Sequence, residues 1–289
     1  MESLEGLSRK IRTAHELLSV VKTMKSLAAV NIRQYVAAAE AMDAYSAVIN
    51  SGWQALLLRQ RSRPLSRQRD TGPVCCLVLG SDQGMCGQFN ELITQCARER
   101  AEVLGADGTP TVFWSAGERV RAILEDDSEV GEHFPLPVSI DAISDLIARI
   151  VNRFAALHAE ERVGRLVICH NRLGRGGTYA TSSSQVFPLD HLASREKKWP
   201  TRCLPLLGIR EEQLFEHLFR QHLFATIYTA FAQSMAGENA ARLTAMQAAE
   251  QNILEMEEDL KAEFRETRQN TITAELLDIV SGFEALSPT

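Results

Sequence analysis

Residues 4–21 read Leu4-Glu5-Gly6-Leu7-Ser8-Arg9-Lys10-Ile11-Arg12-Thr13-Ala14-His15-Glu16-Leu17-Leu18-Ser19-Val20-Val21, with Leu4, Leu7, Ile11, Ala14, Leu18 and Val21 spaced by threes and fours. That spacing holds apolar side chains on one stripe of an α-helix, the pattern by which two helices wind around each other. The stripe continues through Ala28, Ile32, Tyr35, Ala39, Met42, Ile49, Trp53 and Leu56, interrupted only by Lys25 and Ser46. No proline precedes Pro64, so the spacing predicts one helix of about 55 residues, roughly 80 Å long. No single compact domain needs such a helix.

The other end of the chain has the same character. From about Ile209 to Leu286 there is no proline, and a seam runs through Leu214, Leu218, Ala225, Tyr228, Ala232, Met235, Met246, Ala249, Ile253, Met256 and Leu260. This predicts a second helix of about 75 residues, roughly 115 Å. Gly237 weakens it by about 1 kcal/mol relative to alanine. The seam turns polar through Arg265 to Thr271 and resumes in another phase at Ile272, Leu276, Ile279, Phe283 and Leu286, which points to a change of partner. An antiparallel pair leaves the longer helix an excess of about 20 residues, roughly 30 Å, either as a projecting tip or at the domain end.

Between the helices lie an arginine-rich, proline-bracketed linker at 59–73 and a segment in which strands alternate with helices. The apolar run Val74 to Leu79 is a strand, Gly80 to Gly87 a turn and Asn90 to Leu104 a helix. Thr111 to Ser115 and Arg165 to His170 are further strands, Gly117 to Glu125 and Ser139 to Glu160 further helices, and Thr178 to Phe187 an edge strand or hairpin. Such alternation means βαβ units and a largely parallel sheet. The fold expected is therefore α/β: a long antiparallel two-helix coiled coil formed by both termini, plus a central Rossmann-like α/β domain. The divisions are 1–58 helix, 59–73 linker, 74–208 α/β domain and 209–289 helix.

A net charge of −6 and a pI near 5.7 give no general attraction to nucleic acid or anionic lipid. The N-terminus lacks the basic and apolar regions of an export signal, and no run approaches the ~18 apolar residues of a membrane span, so neither export nor membrane insertion is expected. The six cysteines, Cys75, Cys76, Cys86, Cys96, Cys169 and Cys203, form no CxxC pair or metal spacing and read as buried, reduced thiols.

The turn after the first strand is where an open α/β sheet binds a nucleotide, yet Gly80 to Gly87 contains neither GxGxxG nor GxxxxGK[ST]. Cys86 lies there with His170 as the nearest candidate base by topology; with no third group, it reads as a packed turn cysteine rather than a nucleophile. His217 and His222 are five apart, wrong for one helical face, so no metal site is expected. No cofactor is expected either. Basic residues Arg9, Lys10, Arg12, Lys22, Lys25 and Arg33 on the first helix, against Glu255, Glu257, Glu258, Asp259 and Glu263 on the second, fit either complementary pairing or two solvated faces.

Four segments, in order, carry a resemblance: Lys22-Thr23-Met24-Lys25-Ser26-Leu27-Ala28-Ala29, Ser81 to Asn90, Glu238-Asn239-Ala240-Ala241-Arg242-Leu243-Thr244-Ala245-Met246, and Ile272-Thr273-Ala274-Glu275-Leu276-Leu277-Asp278-Ile279-Val280-Ser281-Gly282-Phe283-Glu284-Ala285. The last closely resembles the signature of the gamma subunit of F-type rotary ATP synthases, and the resemblance spans essentially the whole chain. It implies a central rotor that couples ion flow to ATP synthesis or hydrolysis and has no active site of its own. Its partners would be the alpha and beta subunits, the epsilon subunit and the membrane c-ring, on the cytoplasmic face of a prokaryotic inner membrane. The resemblance places Arg268, Gln269 and Thr273 at a loop of the beta subunits and Met24 near the moving beta lever, with Lys25, Glu275, Ile279 and Phe283 as further partner contacts. Phe283 stands where the family usually has alanine, Gln83 where it has a basic residue and Gly237 where it commonly has serine. These departures point to a divergent subgroup such as the sodium-type enzymes, while the choice between H⁺ and Na⁺ rests with ligands in the membrane ring. The competing readings are a small α/β enzyme with helical oligomerisation arms and a passive coiled-coil scaffold.

Overall fold

The computed structural model describes residues 3–59, 72–106, 108–137, 139–174, 177–189, 199, 203, 206 and 208–286, without the side chains of 59 and 282–286. Most of the linker expected at 59–73 lies outside the described residues. The elements are α1 (Leu4–Arg59), β1 (Val74–Leu79), α2 (Phe89–Leu104), β2 (Thr111–Ala116), α3 (Glu118–Glu125), β3 (Val130–Phe134), α4 (Ile143–Ala159), β4 (Arg165–Leu173), β5 (Tyr179–Phe187) and α5 (Glu211–Leu286). Two compact units result: residues 28–242, and residues 1–27 together with 243–289.

In the larger unit the strands lie in the order β3-β2-β1-β4-β5. The pairs β1–β2, β1–β4 and β2–β3 are parallel, and β5 joins β4 antiparallel. Strand β3 was not expected. Its sequence Val130-Gly131-Glu132-His133-Phe134 has little apolar content, because an edge strand buries only part of one face.

Alternation along the strands sorts the core into two layers. Cys75, Leu77, Leu79, Trp114, Leu166 and Ile168 face α4 and the middle of α5, with Tyr35 of α1 in the same cluster. Val74, Cys76, Val78, Phe113, Val167 and Cys169 face α2 and α3 through Ile93, Ala97, Val120 and Leu124. Covered on both faces, β1 is buried at every residue, which is why it reads as an unbroken apolar run.

Helix α5 enters this core. Every residue from Ser234 to Ala241 is buried, although the stretch includes Glu238 and Asn239. Its partner α1 runs antiparallel: Trp53 meets Phe215 edge-on at 5.3 Å, Tyr45 pairs with Gln221, and Asn31 Nδ2 donates to Asn239 Oδ1 at 3.3 Å. The seam positions Ala28, Tyr35, Ile49, Trp53 and Leu56 are all buried, as the spacing requires.

In the smaller unit the same antiparallel order holds. Lys25 forms an ion pair with Glu250, and Phe264 lies beside Leu4, Ser8 and Arg12. Leu7, Ala14, Leu18 and Met246 are buried. One seam position differs from expectation: Met256 is 55% exposed and Glu257 turns inward instead. Lys261 Nζ, 2.6 Å from Glu257, holds that carboxyl below the usual carboxylate range, with His15 and Lys22 adding to the effect. Complementary pairing thus holds at Glu257 and at Lys25–Glu250, while Glu255, Glu258, Asp259 and Glu263 are solvated. The excess length of α5 falls at its C-terminal end.

Two predictions concern the buried stretch of α5. A Cβ at Gly237 would stand 3.4 Å from the Asn171 carbonyl oxygen and 3.6 Å from the Phe89 ring, contacts that need no rearrangement. Gly237→Ala should therefore stabilise the protein by about 0.5–1 kcal/mol and raise the thermal midpoint; a lower midpoint in calorimetry contradicts this. Glu238 and Arg242 pair at 2.7 Å, both nearly buried. Burial pushes the Glu238 carboxyl up, outweighing the opposing pull of Arg242. A raised folded-state pKa means its contribution is fully present below the ordinary carboxylate range and is lost as pH rises through the raised value. Glu238→Gln should leave stability at neutral pH unchanged or higher and flatten its slope on the acid side, whereas Arg242→Ala, stranding a buried carboxylate, should cost about 3 kcal/mol. Denaturant melts from pH 4 to 8 distinguish the two.

Candidate functional site

The turn after β1 stands at the carboxyl edge of the parallel strands, where open α/β sheets bind ligands. Here the turn is occupied by its own side chains. Asn90 accepts a hydrogen bond from the Ser81 N–H at 2.9 Å and donates to Ser81 Oγ at 2.9 Å and to Cys86 Sγ at 3.5 Å. Gly80 allows this closeness, since a Cβ there would lie 2.8 Å from Asn90 Oδ1 and 2.4 Å from Val120 Cβ. The Asp82 carboxylate accepts from the N–H groups of Glu118 at 3.0 Å and Leu136 at 3.2 Å, drawing the loops after β2 and β3 together.

From the other side, α5 closes the crevice. Arg242 Nη2 donates to the Gln83 carbonyl at 3.3 Å, Gly237 lies against Asn171, and Asn171 Nδ2 donates to the Phe89 carbonyl at 3.0 Å. Cys86, Phe89, Tyr179 and Ala241 form a small apolar cluster beneath. The Ser81 N–H and hydroxyl and the Asp82 carboxylate are thus engaged with the protein itself.

Cys86 is buried, and burial pushes its thiol up, against the needs of a nucleophile. His170 does not touch it: His170 Nε2 pairs with Gln233 Oε1 at 3.1 Å, and burial pulls the imidazole down toward the neutral form. Cys75, Cys76 and Cys169 are buried like Cys86, while Cys96 is half-buried and Cys203 is exposed, contrary to its expected burial. Among the described residues no group of His, Cys, Asp or Glu converges as metal ligands.

One arrangement was invisible in the sequence. Ser115 Oγ lies 2.9 Å from His133 Nδ1, and His133 Nε2 lies 3.0 Å from Glu118 Oε1. The order matches a hydrolytic triad, but Ser115 is completely buried, so no substrate carbonyl reaches its hydroxyl. The chain of bonds ties β2 to β3 and α3.

The residues expected to meet partners fall in the smaller unit. Met24 and Lys25 are half-buried on α1, Lys25 turned to Glu250. Leu17, Val20 and Leu27, outside the seam, continue from Met24 at helical spacing and are more than half exposed, an apolar stripe the heptad reading did not select. On α5, Arg268, Gln269, Thr273 and Glu275 are exposed, and Thr273 Oγ1 donates to the Gln269 carbonyl at 2.8 Å. All residues from 268 to 281 are exposed, among them Ile272, Leu276, Leu277, Ile279 and Val280 at 47–66%. The Phe283 side chain lies outside the described residues. No helix among the described residues is long and apolar enough to cross a membrane.

Comparison with known proteins agrees from end to end. Residues 3–286 match the ATP synthase family. The ATP synthase gamma chain of Syntrophus aciditrophicus is 25% identical over 301 aligned positions, covering 99% of each chain. That of Granulibacter bethesdensis is 30% identical, covering 99% of this chain and all of its own. Among solved structures, a chain of the Euglena gracilis mitochondrial ATP synthase, from its OSCP/F1/c-ring portion, shares the fold with a TM-score of 0.65 at 17% identity, covering 98% of this chain and 94% of that one. With the mixed sheet, the two long terminal helices and full-length similarity to gamma chains, this chain belongs to the gamma-chain family of ATP synthases.

Proposed function

We propose that this chain is the central rotor stalk of an F-type ATP synthase, coupling rotation driven by ion flow through a membrane c-ring to ATP synthesis or hydrolysis in an alpha–beta hexamer. One observation carries the reading. The end of α5 presents Ile272, Leu276, Leu277, Ile279 and Val280 to solvent in a helix with no partner among the described residues. Apolar side chains exposed around a helix favour enclosure by another protein. A ring of subunits supplies such a sleeve, in which apolar groups slide without strong directional bonds.

The rest follows from the same reading. The α1–α5 pair acts as a two-stranded coiled coil, stiffened by the apolar seam residues buried within each unit. Arg268, Gln269 and Thr273 meet the beta subunits at the tip, and Met24 and Lys25, flanked by the stripe Leu17, Val20 and Leu27, meet the moving beta lever. The α/β domain serves the epsilon subunit and the c-ring. The chain is a non-catalytic, peripheral subunit at the cytoplasmic face of a prokaryotic inner membrane, and its departures at Gln83, Gly237 and Phe283 set it in a divergent, sodium-type subgroup. No specific observation favours the small-enzyme alternative, since the crevice it would use is filled by Asn90, Asp82 and α5.

Coexpressed with its cognate alpha and beta subunits, the chain should be required for a complex with cooperative ATPase activity; an alpha–beta ring hydrolysing ATP at the same rate without it defeats the reading. Ile279→Asp should leave the isolated chain's stability within about 0.5 kcal/mol, as for an exposed site, yet weaken assembly with the ring in co-purification. Arg268→Ala with Gln269→Ala should lower ATPase activity in the assembled complex, where a passive scaffold would show no change.

A further inference from the structure

A helix that drives or is driven by a domain must be held against rotation about its own axis, and apolar packing is poorly suited to that. The attraction is non-directional and proportional to area, so a smooth cylinder can turn within its groove at modest cost. The buried face of α5 is close to such a cylinder: Ala230, Ala232, Ala236, Ala240 and Ala241 are all buried there beside Gly237. Its larger apolar groups, Leu223, Ile227, Phe231 and Met235, with Phe219, Phe224 and Tyr228 half-buried beside them, all precede Ala236, and the stretch from Ala236 to Ala241 carries none.

Directional contacts join this helix to the α/β domain at two places. Gln233 Oε1 meets His170 Nε2 of β4 at 3.1 Å, which makes Nε2 the protonated nitrogen. Burial pulls His170 toward its neutral form, so this bond persists without a counter-charge. Two and a half turns on, Arg242 reaches the Gln83 carbonyl in the turn after β1 at 3.3 Å while Glu238, one turn back on α5, steadies its guanidinium at 2.7 Å. Between them Gly237 stands against the Asn171 main chain. The two contacts grip the helix at β4 and at the β1 turn, and a hydrogen bond, being directional, resists displacement in angle where apolar contact does not.

We infer that His170, Gln233 and Arg242 are positioning residues that fix the rotational register of α5 against the sheet and so carry torque between the α/β domain and the helix. This rests on the rotor reading. The apolar contacts hold the helix in the domain; the polar pair and the arginine set its angle.

The test uses the whole enzyme in proteoliposomes, comparing wild type with the double variant His170→Leu, Gln233→Leu, an apolar exchange that roughly keeps the volume of the buried His170 and the half-buried Gln233. Three quantities are read: the thermal midpoint, ATP hydrolysis without an opposing gradient, and ions pumped per ATP against a rising gradient. The midpoint and unloaded hydrolysis should stay near wild type, while pumping per ATP under load falls by about twofold or more through lost positioning. His170→Gln, which keeps a donor where Nε2 lies, should restore the ratio. Arg242→Lys keeps charge beside Glu238 but shortens the reach to Gln83, and serves if the double variant does not assemble; it too should lower the loaded ratio. A wild-type ratio under load in an assembled variant overturns the inference, as does a loss of hydrolysis, pumping and thermal midpoint in parallel that His170→Gln does not relieve. If the wild-type chain itself supports no coupled pumping, the rotor reading falls and this inference with it.

Discussion

Between Leu223 and Ala241 the C-terminal helix passes under one face of the sheet and against α1, with little of its surface in contact with water. Such enclosure demands small residues, and the alanines there let the sheet and two helices approach closely. It also favours a partner for each polar group, since an unsatisfied buried group costs about 1–3 kcal/mol, although the buried Ser234 Oγ has none among the described residues. Glu238 has Arg242, Asn239 has Asn31 and the Met235 carbonyl, and Gln233 has His170. The α/β domain is built around a helix, and its layers could not close if that helix were withdrawn.

The same enclosure decides what the domain cannot do. In a doubly wound sheet the crevice at the carboxyl edge is where a ligand meets turn amides and a helix N-terminus. Here Asp82 bridges two loops, Asn90 fills the turn, and Arg242 approaches from α5. An architecture associated with nucleotides thus serves as a mount, with Asp82, Asn90 and the Gln83 carbonyl used for internal attachment.

Much of this was legible in the sequence, for reasons that differ by element. The seam of α1 was readable because its apolar spacing stays regular from Leu4 to Leu56, nearly the whole length of a 56-residue helix. The buried strand β1 was readable because both its faces are covered. Strand β3 was not, since Glu132 and His133 serve Arg153, Ser115 and Glu118, contacts that exist only after folding. Met256 and Glu257 exchanged places because the seam phase drifts over so long a helix, and a basic neighbourhood of His15, Lys22 and Lys261 made the carboxylate acceptable. The partner-contact residues came from motif resemblance; their exposure could not be inferred from a stripe that looks like any other core stripe.

The sheet ends on one side in β5, whose middle reads Thr181-Ser182-Ser183-Ser184, and on the other in β3, five residues long. Open strand edges carry unpaired amides and carbonyls that invite another strand. A row of short hydroxyl side chains on one border and brevity on the other make both borders unrewarding to a passing chain. For a part that must revolve past fixed neighbours, that indifference is a bearing property: the domain can move by other proteins without being stitched to them.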